Sequence, residues 1–190
     1  ILGLSVSATT TLTAMLAGGT LVAFALAARA LSRGADPCRL AGLGAMAGLF
    51  AFAAVIFAAP LESPSLFRVG AILVGFGGGL FAVGTLTAAM GLAQHGKNGI
   101  ALGAWGAVQA SAAGVAIALG GALRDLVSAA AASGALGEAL AGAATGYSVV
   151  YHLEILLLFA TLVAIGPLVR PASESAPLPS TRFGLAEFPG

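Results

Sequence analysis

Few side chains of this 190-residue chain can take part in chemistry, and most of them interrupt long apolar stretches. The two histidines are His95, in the polar sequence QHGKN, and His152, in GYSVVYHLEI. Gln109 lies near the middle of the segment from Asn98 to Asp125, which carries no charge before Arg124. A polar amide within a lipid-embedded helix needs a hydrogen-bonding partner or a polar path.

Glu154 lies about two turns inside the last apolar stretch. A carboxylate at that depth must be paired, protonated or close to water. Arg124 ends the preceding stretch on the same side, so we predict a structural Arg124–Glu154 ion pair; the alternative is a proton relay through Glu154. Tyr147 and Tyr151 share a helix face with Glu154 by their spacing, whereas His152 lies on a different face.

The remaining ionisable residues do not form an enzyme site. The formal net charge is +1 and 8% of residues are charged, so the chain has neither a nucleic-acid footprint nor an acidic tail. Cys38 is the single cysteine, which excludes an internal disulfide and a cysteine-cluster metal site. We therefore expect a protein that is not an enzyme, has no metal site of its own and binds no nucleic acid. The carboxylates divide between two predicted sides of a membrane: Glu62, Asp125 and Glu138 on one, Asp36, Glu174 and Glu187 on the other.

Composition predicts an all-α integral membrane protein. Hydrophobic residues make up 59% of the chain, which contains 28 glycines, and mean hydropathy is +1.03. Asp36-Pro37 and Ser63-Pro64 each supply an N-cap followed by proline at the first helical position. We predict membrane crossings at about 9–31, 37–60, 64–93, 99–123 and 147–169, a loop with a short surface helix at 126–145, and a cytoplasmic tail at 171–190.

The basic residues predict an orientation. One side of the membrane receives six of them, Arg29, Arg33, Arg39, Lys97, Arg170 and Arg182, and the other side receives Arg68 and Arg124. The positive-inside rule then places the first short loop and the C-terminus in the cytoplasm. With the N-terminal end outside and no initiator methionine, we expect at least one earlier helix in a longer protein.

Glycine spacing predicts close packing between helices. Gly75 and Gly79 form a GxxxG pair, and Gly99 and Gly103 repeat the spacing at the start of the fourth crossing. Small residues at this spacing let two helix backbones approach each other closely. The GFGGGLF run is not a nucleotide-binding loop, because it lies inside an apolar crossing.

Four stretches of the chain resemble the PucC family: GAWGAVQASAAGVAIALGGALRD, VGFGGGLFAVGTLTAAM, RALSRGADPCRLAGLG and RFGLAEFPG. This family, which includes the LhaA proteins, is the bacteriochlorophyll-delivery (BCD) branch of the major facilitator superfamily. The resemblance implies a twelve-helix bundle in which the five crossings correspond to helices eight to twelve. It also implies that Arg33, Asp36 and Arg39 form a charged loop motif that ties helix ends together.

The resemblance further implies an assembly factor for light-harvesting antenna complexes in the bacterial inner (intracytoplasmic) membrane. Such a protein handles or delivers bacteriochlorophyll, antenna polypeptides or both. The expected partners are the lipid bilayer, the missing N-terminal half of the same protein and the antenna polypeptides. One alternative is a facilitator-type secondary transporter of an amphipathic solute; another is a structural antenna-associated protein that binds no pigment.

A bacteriochlorophyll requires an axial ligand to its magnesium, usually histidine with glutamine as a substitute, and an apolar wall for its ring. The candidate pigment-contacting residues are Gln109, His95, Trp105 and His152. The competing role of Gln109 is an interhelical hydrogen bond, and that of His95 is a solvated loop residue. For Trp105, an anchor at the membrane interface competes with a wall that stacks on the pigment ring.

Overall fold

The computed structural model describes residues 6–93, 98–142 and 144–169. Over these ranges every long element is an α-helix, and each is long and apolar enough to cross a membrane. The prediction of an all-α, multi-pass membrane protein is therefore confirmed. The five helices are α1 (Val6–Ser32), α2 (Pro37–Ala58), α3 (Pro64–Gly91), α4 (Asn98–Ala132) and α5 (Thr145–Ile165), with single 3₁₀ turns at Glu138–Leu140 and Gly166–Leu168.

Side-chain caps begin α2 and α3. The Asp36 carboxylate accepts a hydrogen bond from the backbone N–H of Cys38 at 2.8 Å. The Ser63 hydroxyl oxygen accepts one from the N–H of Leu66 at 3.3 Å. Both helices have proline at their first turn, where its missing N–H costs nothing. Gly34, at a φ of +84°, supplies the left-handed residue that reverses the chain between α1 and α2.

Helix α4 is longer than its sequence predicted. Its 35 residues make it about 52 Å long at 1.5 Å per residue, well beyond a hydrocarbon core of about 30 Å. Residues 126–132, expected to form a loop, continue the helix, because their alanine-rich sequence LVSAAAA favours helix. The short 3₁₀ turn at Glu138–Leu140 follows in the connection to α5.

Helix α3 is the centre of the bundle, and glycine backbone forms its contact with α2. Three glycines of α3, Gly70, Gly77 and Gly84, repeat every seven residues along the side that faces α2. A Cβ atom added at Gly77 would lie 2.7 Å from the carbonyl oxygen of Gly44. One added at Gly84 would lie 2.6 Å from the carbonyl oxygen of Pro37, so the two backbones are in direct contact.

A second glycine surface of α3 packs against α1. Gly75 abuts the backbone carbonyl of Leu16, and a Cβ at Gly79 would lie 2.8 Å from the Cβ of Ala23. The Thr20 hydroxyl donates to the carbonyl oxygen of Gly75 at 3.1 Å, which adds a hydrogen bond between the helices. The GxxxG pair of α3 thus lies at a close helix–helix contact.

The remaining helices attach to this core in sequence. Helix α5 packs on α2, where Leu158 lies over Gly48, and on α4, where Gly146 abuts the carbonyl oxygen of Arg124. Helix α4 also makes a small contact with α3, so α2, α5, α4 and α3 form a ring of neighbours. Ala131 is the one buried residue of α4.

Replacing Gly77 by alanine tests the contact between α2 and α3. The added Cβ meets backbone atoms that cannot rotate away, so the helices must separate. We expect the free energy of unfolding of the full-length protein in detergent to fall by about 1–3 kcal/mol.

Gly78→Ala is the matched control, because a Cβ at Gly78 would meet no atom within 4 Å. That variant should unfold at the wild-type denaturant concentration or slightly above it, since alanine favours helix over glycine by about 0.5–1 kcal/mol. Equal stabilities for the two variants would contradict the contact.

Candidate functional site

The side of α4 that faces the bundle is marked by two contacts. Trp105 reaches α3, and Gly120 lies against Val150 of α5, where an added Cβ would be 3.8 Å from its Cγ1. Gln109 lies on this same side, one turn beyond Trp105. Yet Gln109 is exposed and has no hydrogen bond to any residue that the structure describes. Helix α4 therefore makes little contact with the described bundle at this level, and the amide is accessible.

Trp105 forms a hydrogen bond between helices. Its indole Nε1–H donates to the Thr85 hydroxyl oxygen at 3.2 Å, and both side chains are half-buried. The Thr85 hydroxyl in turn donates to the carbonyl oxygen of Phe81 at 2.8 Å. The bond fixes the indole against α3 near the N-terminal end of α4.

The glycines at the start of α4 do not pack against another described helix. An added Cβ at Gly99 or Gly103 would meet no atom within 4 Å. The helix-packing role of these two residues stays a prediction, because they have no neighbour in the described part of the chain. They lie roughly a quarter turn or more around α4 from the centre of its bundle-facing side. The same lack of neighbours holds for Gly106, Gly114 and Gly121.

Arg124 pairs with Asp125 and Tyr147, and the predicted ion pair with Glu154 is wrong. Its Nε–H donates to the Asp125 carboxylate at 2.9 Å, and its Nη1–H donates to the Tyr147 hydroxyl oxygen at 3.1 Å. The guanidinium carbon lies 5.3 Å from the centre of the Tyr147 ring. Glu154 is seven residues beyond Tyr147, about 10 Å further along α5, whereas Asp125 is adjacent in sequence.

Aromatic rings extend this cluster towards α2. The rings of Tyr147 and Tyr151 are 6.4 Å apart, and those of Tyr151 and Phe52 are 5.9 Å apart, within the range of favourable aromatic contacts. The cluster joins the end of α4 to the start of α5 and to α2.

Glu154 remains half-buried on the side of α5 that carries these tyrosines. It has neither an ion pair nor a hydrogen bond with the residues described. A membrane-embedded carboxylate without a protein partner marks a position that interacts with a proton, a ligand or another segment.

Of the two histidines, only His152 lies within the described residues. His95 lies in 94–97, outside the described residues. His152 is exposed on α5, and its Nδ1–H donates to the carbonyl oxygen of Ser148 at 2.7 Å. No group of three His, Cys, Asp or Glu side chains that could hold a metal ion occurs within 6–93, 98–142 and 144–169.

The loop motif has one defined contact. Asp36 caps α2, as described above, while Arg33 and Arg39 are exposed. The role of the two arginines in tying helix ends together stays a prediction.

An open apolar groove lies elsewhere, between α1 and α3. Its volume is about 520 Å³, and its walls include Met15, Val22 and Phe76. None of the predicted ligand residues lines it.

Thr85 and Tyr147 are the partners that the sequence analysis missed. Thr85 could have been found by comparing how far each residue lies from its helix end. Thr85 lies six residues before the end of α3, and Trp105 lies seven residues after the start of α4. Because the helices are antiparallel, the two residues occupy nearly the same level. For Arg124, the adjacent Asp125 was the simpler partner.

Comparison with known proteins places these features in a family. The family model described as "PUCC protein" matches residues 1–173. A Rhodobacter capsulatus protein named "Uncharacterized protein in puhA-bchM intergenic region" is 52% identical over 192 residues, covering 100% of this chain and 40% of that protein.

Two relatives carry the name "Protein PucC". The one from Rhodovulum sulfidophilum is 58% identical over 67% of this chain and 28% of its own length. The one from Cereibacter sphaeroides is 51% identical over 90% of this chain and 36% of its own length. The chain thus spans 28% to 40% of these relatives. No solved structure matches it.

Two double-mutant cycles test the assignment of Arg124. Arg124→Ala combined with Tyr147→Phe should show a favourable coupling free energy, because the hydroxyl and the guanidinium share a hydrogen bond. Arg124→Ala combined with Glu154→Gln should show none beyond experimental error. The coupling free energies are measured by unfolding the full-length protein in detergent. A larger coupling of Arg124 to Glu154 than to Tyr147 would support the Arg124–Glu154 ion pair instead.

Proposed function

The chain belongs to the PucC family, and we propose that it is part of a membrane assembly factor for photosynthetic light-harvesting antenna complexes. In this role the protein handles or delivers bacteriochlorophyll, antenna polypeptides or both. The observation that carries the proposal is the family match over residues 1–173, together with relatives that are more than half identical.

The geometry of α4 supports a role in holding a ligand within the bilayer. Gln109 lies on the bundle-facing side of the helix and is nevertheless exposed. Its carbonyl oxygen and amide are suited to contact the magnesium or a polar substituent of a pigment. Trp105, one turn away, is held against α3 and offers an aromatic wall at the same side of the helix.

The rest of the longer protein is the proposed partner for the exposed glycine face of α4. The relatives are each about two and a half times as long as this chain, so further helices remain to be packed against the bundle. Glycines without neighbours on a membrane helix suit close backbone approach. The lipid bilayer and the antenna polypeptides are the other proposed partners.

We place the protein in the bacterial inner (intracytoplasmic) membrane with a cytoplasmic C-terminus. The basic residues on the side of the Arg33 loop support this orientation through the positive-inside rule.

A facilitator-type secondary transporter of an amphipathic solute is the second candidate. Glu154 favours it, because a half-buried carboxylate without an ion pair in the described chain is a suitable site for coupling to protons.

Removal of the full-length protein from a phototrophic host tests the proposed function. We expect the near-infrared absorbance of antenna complexes per cell to fall several-fold and to return with the wild-type gene. An unchanged antenna absorbance, with loss of solute accumulation in membrane vesicles, would favour the transporter.

The Gln109→Leu variant, expressed in the host that lacks the wild-type protein, tests the role of Gln109. We expect this variant to restore less antenna absorbance than the wild type, although leucine suits a membrane helix. Ser111→Ala is the matched control, because Ser111 is the neighbouring polar residue and lies about 200° around α4 from Gln109. If both variants restore antenna absorbance equally, at equal protein levels in the membrane, Gln109 does not contribute to the site.

A further inference from the structure

His152 has a fixed proton position. Its Nδ1 lies 2.7 Å from the carbonyl oxygen of Ser148, and a carbonyl oxygen only accepts, so Nδ1 carries the hydrogen. In the neutral ring, Nε2 therefore holds a free lone pair. No described residue donates a hydrogen bond to it.

The side chains that share this face of α5 with His152 are apolar and exposed in the described part of the chain. His152 lies about 10 Å along α5 from Thr145, on the side opposite to the one that packs on α2 and α4. Leu156 and Phe159 follow on the same side and are 65% and 54% exposed. The face thus presents one ring nitrogen next to two exposed apolar side chains.

We propose that the outer face of α5 is a docking site for a magnesium tetrapyrrole, with Nε2 of His152 as the axial ligand. This proposal rests on the proposed function and adds to it one residue that contacts the pigment. The Nε2 lone pair forms the bond to magnesium at its open axial position, and no proton or electron is transferred. Leu156 and Phe159 pack against the macrocycle or its hydrocarbon tail.

Two features of His152 match those of metal-binding histidines. Such residues commonly donate their other ring N–H to a backbone carbonyl or a carboxylate, which fixes the tautomer and the orientation of the ring. The Ser148 carbonyl supplies this support here. The outward direction also gives access, because His152 is exposed and no described helix covers it.

The test is a titration of bacteriochlorophyll into the full-length protein in lipid nanodiscs. Coordination-sensitive absorption and resonance Raman bands report whether a histidine ligates the magnesium. We expect His152→Leu to weaken binding about tenfold or more, on the scale seen when metal-site hydrogen bonds are lost, and His152→Gln to restore part of it. Thermal unfolding should be unchanged in both, because the residue is exposed.

Ser148→Ala is the matched control. It removes the hydroxyl that lies 3.4 Å from Nδ1 but keeps the backbone carbonyl, so binding should stay at the wild-type level. If His152→Leu binds like the wild type while Gln109→Leu loses pigment, the outer site is wrong and pigment handling stands. If the wild type binds no pigment while antenna assembly still depends on it, the site is wrong and the polypeptide-handling part of the proposed function stands.

Discussion

Direct backbone contact at the glycines of α3 is the constraint on which the rest of this structure depends. Lipid tails are as apolar as leucine, so membrane helices gain little from simple hydrophobic burial and rely on close van der Waals contact. Helix α3 meets α2 through Gly77 and α1 through Gly75, at distances that leave no room for a side chain. A hydrogen bond from Thr20 to the Gly75 carbonyl is made at the same close approach. Helix α5 is then placed by α2, and α4 by α5.

This arrangement separates a tightly packed core from a loosely attached helix. Helix α4 is held near one end by the Trp105–Thr85 hydrogen bond and near the other by the Arg124–Tyr147 cluster. Between these two attachments the helix stands off and leaves the Gln109 amide exposed. An exposed polar group within a membrane helix suits the binding of a ligand or of another helix. The exposed glycines on a neighbouring face of α4 suit the further helices of a longer protein.

Much of the fold follows from the sequence, because hydropathy and the proline-containing caps mark helices by local chemistry. The contacts depend on partners, which local patterns do not identify. Gly75 and Gly103 occur in similar settings, yet one abuts the Leu16 backbone and the other has no neighbour in the described chain. Likewise, the sequence placed Arg124 and Glu154 on one side of the membrane. The predicted ion pair does not form, because Asp125 and Tyr147 lie closer to the Arg124 guanidinium.

We propose that this helical bundle is part of a protein that handles pigment and antenna polypeptides. The most direct measurement is the absorption spectrum, with the polypeptide content, of the full-length protein purified in mild detergent from phototrophically grown cells. The account predicts bacteriochlorophyll bands together with co-purifying antenna polypeptides. A colourless protein without such partners, which accumulates a solute when placed in vesicles, would contradict it.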